Sequence, residues 1–215
     1  MTASAPRSSP LALTVLALLH YKPLHPYGIQ RLVKDWGKEQ VVNVRQRASL
    51  YRTIERLNGD GLIAVRETGR DQQYPERTVY EVTDAGRETA RAWLEEMLTA
   101  PKEEFPEFPA ALSNLLLLTS DEMADVLERR VDALAERLDG LEAAMAAEAE
   151  QGLPRITRLE TEYLRAVTAA ELEWVRAVVE DLRAGRLSWS KEQLDALAAG
   201  PVQGVSPPPA GPGTA

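Results

Sequence analysis

Apolar residues recur at helical spacing from the start of the chain. Leu11, Val15, Leu18 and Leu19 fall at i, i+4, i+7 and i+8, the period of an amphipathic helix, and Pro23 closes it. A second helix is predicted from Pro26, a residue at home in a first turn, to Trp36, with Ile29, Leu32, Val33 and Trp36 inward and Gly37 as the stop. Lys38 to Val44 is a connector with a short β-like Val-Val-Asn-Val. In the third helix Leu50, Ile54 and Leu57 form a core face. Arg45, Ser49, Arg52 and Arg56 align on another face if the helix extends back to Arg45; if Arg45 precedes it, Ser49, Arg52 and Arg56 remain. Asn58-Gly59-Asp60-Gly61 terminates the helix.

The period then changes from helical to alternating. Leu62 to Glu67 and Thr78 to Thr83 are predicted strands, with Ile63, Val65, Val79, Tyr80 and Val82 as packing residues. The polar run TGRDQQYPER between them makes a hairpin with a projecting tip. Three helices followed by such a hairpin is the order of a winged helix-turn-helix. Asp84 is the expected N-cap of a fourth helix through Leu98, with Ala90, Trp93, Leu94 and Met97 inward.

Three prolines in Pro101 to Pro109 break the pattern. After a cap expected at Ser120-Asp121-Glu122, Leu127, Val131, Leu134, Leu138, Leu141 and Met145 alternate spacings of four and three, a heptad seam. Gly152 and Pro154 end that helix. Ile156, Tyr163, Val167, Ala170, Trp174 and Ala177 mark a last long one. These helices either fold back on each other within one chain or present a seam to a second copy; two helices alone leave much apolar surface uncovered, so both uses are expected together. The expected organisation is a disordered stretch 1–9, a winged helix-turn-helix 10–98, a linker 99–110, a helical dimerisation domain 111–186, a short helix 187–199 and a disordered Pro/Gly tail 200–215. The fold class is mainly α.

Charge alters the picture. The net −8 argues against a nucleic-acid partner, but it is unevenly spread. Residues 1–92 carry 14 Lys and Arg against 10 Asp and Glu, whereas residues 93–215 carry 11 against 23. A basic front and an acidic back suit a first domain that meets an anion. Zero cysteines exclude disulfides and thiolate catalysis. The only histidines, His20 and His25, are five apart, off the spacing that sets two ligands on one helical face, so no metal and no cofactor are expected. Common enzyme signatures and clustered carboxylates are absent, so an enzyme is not expected. Without a signal peptide or a membrane-length apolar run, the expected location is the cytoplasm, with no membrane partner.

Three stretches carry a family likeness. HPYGIQRL (His25 to Leu32), LYRTIERLNGDGLI (Leu50 to Ile63) and TVYEVTDAGRE (Thr78 to Glu88) resemble, in order and spacing, motifs of PadR-family transcriptional regulators over about residues 11–98. Arg52 stands where the family usually has proline, Ile54 where leucine is commoner and Asn58 where glutamate is commoner. The C-terminal helices are loosely similar to the family's long-form dimerisation domain. The resemblance implies a homodimeric repressor that binds double-stranded DNA, released by a signal or by a small, often aromatic or amphipathic effector.

Roles follow from groove chemistry. Ser49 and Arg52 are placed to approach base edges, with a phosphate the equal alternative to a guanine for Arg52, Arg45, Arg47 and Arg56 to grip phosphates, and Gln46 to do either. Tyr51 looks like the family tyrosine whose hydroxyl reaches the DNA backbone; alternatively it packs, half-buried. Arg70, Gln72, Gln73 and Arg77 on the hairpin tip are candidates for the minor groove or flanking phosphates, or are simply solvated. Two half-sites require a dimer, for which Leu127, Val131, Leu134, Leu138, Leu141, Met145, Tyr163, Val167 and Trp174 are the expected interface, and a pseudo-palindromic operator. Trp93 is a candidate effector contact, with core packing as the alternative. The competing function is a dimeric helical adaptor that uses the winged-helix shape to bind protein.

Overall fold

The computed structural model describes residues 6–44, 46–69, 77–190 and 193. It comprises two compact units, Met1–Glu104 and Phe105–Ala215. In the first, α1 (Pro10–Tyr21), α2 (Pro26–Asp35) and α3 (Arg47–Gly59) precede the strands β1 (Ile63–Gly69) and β2 (Arg77–Val82), and α4 (Asp84–Thr99) follows. One core holds the unit together. Val15, Leu16 and Leu19 from α1, Ile29 and Val33 from α2, and Leu50, Ile54 and Leu57 from α3 are buried with Ile63, Val82 and Trp93. At about 25 cal/mol per Å² of apolar surface removed from water, side chains of this size each stabilise by roughly 1.5–3 kcal/mol.

Local chemistry sets the ends of the elements. The Ser9 hydroxyl accepts the Ala12 N–H at 3.1 Å and Pro10 opens α1. His25 caps α2, its Nδ1 accepting the Tyr27 N–H at 3.1 Å. Ser9, at the end of the stretch expected to be disordered, is thus hydrogen-bonded into the start of α1. The antiparallel hairpin pairs Ile63 with Val82 and Val65 with Tyr80, then shifts register between Val65 and Glu67. Leu24, in the α1–α2 turn, bridges to β2: its N–H donates to the Tyr80 carbonyl and its carbonyl accepts the Tyr80 N–H, both at 3.0 Å.

Thr83 joins the hairpin to α4. Its N–H donates to the Leu62 carbonyl at 3.1 Å, its hydroxyl donates to the Gly61 carbonyl at 2.8 Å, and its oxygen accepts the Gly86 N–H at 3.0 Å. Gly86 is buried against the same Leu62 carbonyl, which would lie 2.0 Å from a Cβ at that position.

In the second unit, α5 (Glu107–Leu112) begins inside the segment expected to be a linker. The long helices α6 (Ser120–Glu150) and α7 (Leu159–Arg183) follow, packed on each other. Thr119 and Glu122 form a reciprocal capping box at the start of α6. Gly152, at φ 68°, stands in the turn between the two helices. Met123, Leu127 and Leu134 of α6 pack with Leu172, Val175 and Leu182 of α7. Arg130 to Glu171, Arg165 to Glu142, and Arg183 to both Asp125 and Glu128 pair across the two helices. The Arg130 guanidinium also lies 3.5 Å above the Phe108 ring, which meets Trp174 edge-on. Trp189 donates its indole N–H to the Leu118 carbonyl at 3.0 Å. Of the short helix expected at 187–199, only its beginning is described, where Ser190 and Gln193 exchange hydrogen bonds. The expected tail 200–215 lies outside the described residues.

The structure departs from the sequence pattern at several places. Trp36 is the C-cap of α2, just past its last helical residue, and is 51% exposed. The connector forms a 3-10 turn at Lys38–Gln40 rather than a strand, with Val42 and Val44 still buried. Val65 is exposed beside the register shift. Leu94 and Met97 are also exposed, so α4 contributes Trp93 to the core and little beyond it. Thr83 and not Asp84 caps α4, and Thr119 and not Ser120 caps α6. In both cases the hydroxyl one residue earlier has the extended backbone that a cap requires.

Candidate nucleic-acid interface

Helix α3 is bound to its unit along one side. Leu50, Ile54 and Leu57 are at most 1% exposed. Turning 100° per residue places Arg52 directly opposite them, with Ala48, Glu55 and Gly59 beside it on the solvent side. Ser49 and Arg56 border this arc on one edge, and Tyr51 and Arg47 lie beyond the other. Arg47, Ala48, Tyr51, Arg52 and Glu55 are exposed, whereas Ser49 and Arg56 are partly covered.

The helix begins at Arg47, so Gln46 is its N-cap, and the Gln46 side chain makes no capping hydrogen bond. No acidic residue lies in the first turn. No carboxylate of the helix's own first turn meets the positive end of its dipole, an arrangement suited to a phosphate. The loop before it is held by Gln30, whose amide donates to the Val44 carbonyl at 3.3 Å, tying α2 to the entry of α3.

The basic residues are not equivalent. Arg52 donates its Nε–H to the Ala48 carbonyl at 3.2 Å, lying back along the helix surface. Arg56 donates to the Arg7 carbonyl at 2.7 Å and stands 4.0 Å from the Asp60 carboxylate, so its guanidinium is engaged within the protein. Arg45, Arg70, Gln72 and Gln73 lie outside the described residues; Arg77 opens β2 opposite Gly69. The hairpin itself is held beside α3 through Leu62, Ile63 and the Leu24 bridge.

Sequence reasoning did not single out Glu55, which adds a carboxylate to the arc around Arg52. It also missed exposed Tyr27, Arg31 and Lys34 on α2, of which Arg31 pairs with Asp35 at 3.2 Å. A helical-wheel count of α3 would have shown Glu55; Tyr27 and Arg31 stood inside the HPYGIQRL stretch without being read as surface contacts, and Lys34 lay beyond it. Trp93 is 6% exposed and packed into the core of its own unit.

The residues expected to pair two copies separate into two groups. Leu127, Leu134 and Leu141 are buried within the chain, with Val131, Leu138 and Met145 partly so. On α7, Tyr163, Val167, Ala170, Trp174 and Ala177 are not buried, and Tyr163, Val167 and Trp174 are exposed. The buried positions of α7 form a different stripe, Thr161, Thr168, Leu172, Val175 and Leu182.

Residues 15–92 match the transcriptional regulator PadR-like family. A comparison with curated proteins gives no match. Among solved structures, Bacillus subtilis PadR in complex with operator DNA is similar in fold, with a TM-score of 0.67 and 18% identity over 81% of this chain and 99% of that one. The same protein in complex with p-coumaric acid gives 0.62 and 16% over 82% and 99%. The Vibrio cholerae virulence activator AphA gives 0.63 and 20% over 81% and 98%. The likenesses extend through the helical second unit, so the fold is a PadR-like winged helix followed by a C-terminal helical region. Residues 15–92 of this chain accordingly form a winged helix that matches the transcriptional regulator PadR-like family.

Proposed function

We propose that this protein is a sequence-specific regulator that binds double-stranded DNA as a homodimer, on a pseudo-palindromic operator, and represses transcription until a small ligand or another signal releases it. The observation that carries the reading is the division of α3. One side is locked into the core through Leu50, Ile54 and Leu57, and the opposite side presents Arg52 to solvent on a helix with no acidic residue in its first turn. An α-helix held this way fits the major groove, where base edges carry a readable pattern. Arg52 is assigned to a guanine edge and Ser49 to an adjacent base. Arg47, Gln46 and Tyr51 are assigned to phosphates, with the hairpin tip on the neighbouring groove. Arg45 extends the phosphate set, as do Arg70, Gln72 and Arg77.

The exposed apolar stripe of α7 supports pairing of two copies, which brings two α3 helices onto one duplex. The complex of Bacillus subtilis PadR with p-coumaric acid favours a small aromatic acid as the effector class.

A duplex selected by the full-length protein from a random DNA pool provides the test. Binding should weaken steeply with salt, each neutralised phosphate contributing about 0.9 to the slope of log affinity against log salt. Replacing Arg47 with alanine should weaken all duplexes alike and flatten that slope. Arg52→Ala should cost roughly 1–3 kcal/mol on the selected sequence and relax the base preference at one position. Failure to select a duplex, or salt-independent retention, would remove the DNA reading in favour of a protein-binding adaptor.

A further inference from the structure

We infer that the segment before α1 is part of the DNA-binding surface, with Arg7 as a phosphate contact and Arg56 as the residue that positions it. The inference rests on the DNA-binding reading above and extends it to a segment outside the winged-helix motif.

Arg56 lies one helical turn beyond Arg52, so its stripe follows the arc assigned to the groove. Its charge is nevertheless met by Asp60 at 4.0 Å, and its guanidinium donates at 2.7 Å to the Arg7 carbonyl, 49 residues earlier in the chain. With its Nη1 committed to the Arg7 carbonyl and to the side of Asp60, Arg56 is tethered to the protein and has only its remaining N–H groups to offer a phosphate. What the contact does is fasten the backbone at residue 7. Two residues later the chain is fastened again, by the Ser9 hydroxyl on the Ala12 N–H and by the Ser9 carbonyl on the Leu13 N–H at 2.9 Å.

Arg7 is thus one of two fixed points, with Ser9 the other. Its carbonyl faces α3 and the residue as a whole is exposed. The result is a cation set at the end of the α3 stripe where Arg56 itself is engaged. Charge complementarity selects the occupant, since a line of phosphates runs along each edge of the groove that α3 would enter. Ordering the segment in the free protein also means that little conformational entropy remains to be lost there on binding.

The test uses the full-length protein and the duplex it selects, with affinity followed across a salt series. Arg7→Ala should weaken binding by about 3- to 10-fold and reduce the slope by about 0.9 for each protomer that makes the contact. Arg56→Ala should do the same by releasing the segment, and its effect should largely vanish in the Arg7→Ala background, the signature of two residues acting as one unit. Thermal melting of each variant separates a loss of binding from a loss of folding. If Arg7→Ala leaves affinity and slope unchanged while Arg47→Ala and Arg52→Ala weaken binding, the segment is no part of the interface and the DNA reading stands. If Arg56→Ala costs as much without Arg7 as with it, Arg56 contacts DNA itself and the positioning role is wrong. If the wild-type protein selects no duplex, both readings fall together.

Discussion

Gly86 shows how one side chain, or the lack of one, joins the hairpin to the rest of the domain. Its backbone conformation is ordinary, so the requirement for glycine comes from space: a Cβ would sit 2.0 Å from the Leu62 carbonyl oxygen and 2.8 Å from a Val82 methyl. Since the nearer obstacle is backbone, it cannot rotate aside. Gly86→Ala should therefore destabilise the domain by about 2–4 kcal/mol. Gly140, inside α6 with nothing within 4 Å of where a methyl would stand, is the control at which alanine should be harmless. Thermal melting of the two variants decides the matter, and equal melting temperatures would refute the packing argument. No local pattern distinguishes these glycines in the sequence; Gly86 stood out only within a stretch that resembled a family motif, and its physical reason needed the position of Leu62.

At the scale of the helix, electrostatics tie α6 to α7 in a way that responds to pH. Arg183 hydrogen-bonds Glu128 and Asp125, and the bond from Arg183 holds the Glu128 carboxyl below its ordinary range. The Glu122 carboxyl is lowered by the Thr119 N–H and then by the Thr119 hydroxyl, and Glu162 by Arg155. A carboxyl with a depressed folded-state pKa adds stability in full above its unfolded value of about 4.3, and loses that contribution as pH falls through the lower folded value. The pairs are solvent-exposed, so each effect is small and screened by salt. Melting temperature followed from about pH 6 down to about pH 3 should show an acid decline that is shallower in Arg183→Ala than in wild type. Parallel curves would show that Arg183 contributes no pH-linked stability.

Helix identity was legible from periodicity, since buried Leu50, Ile54 and Leu57 all fell on the expected face of α3. Helix ends were less so, because adjacent Thr, Ser and Asp compete as caps and only backbone geometry chooses among them. On α7 the aromatic and valine positions suggested one stripe, while threonines helped make the stripe that packs inside the chain.

For the whole molecule, the stripe of α7 left outside that packing is the feature that bears on assembly. Tyr163 and Val167 are one turn apart on α7, 68% and 47% exposed, whereas Leu172 and Val175 are buried. Glutamate at both positions should leave the helical content intact and yield a monomer by sedimentation, with operator affinity reduced because the two half-sites are no longer bound together. A dimer that survives both changes would place the interface elsewhere. The division of charge between the halves was readable from composition, yet the engagement of Arg56 by the Arg7 carbonyl was not: it joins residues 49 apart, beyond the reach of any local pattern.

The bridge between Leu24 and Tyr80 has a consequence for motion. Because each residue donates to the other, β2, which lies between β1 and Leu24, cannot lift away without breaking both bonds to the turn that leads into α2. Wing and helix-turn-helix are thereby made to open and close as one cooperative unit. A partner that grips the hairpin will also damp fluctuations at the entrance to α2, with no need for the folded structure to change shape.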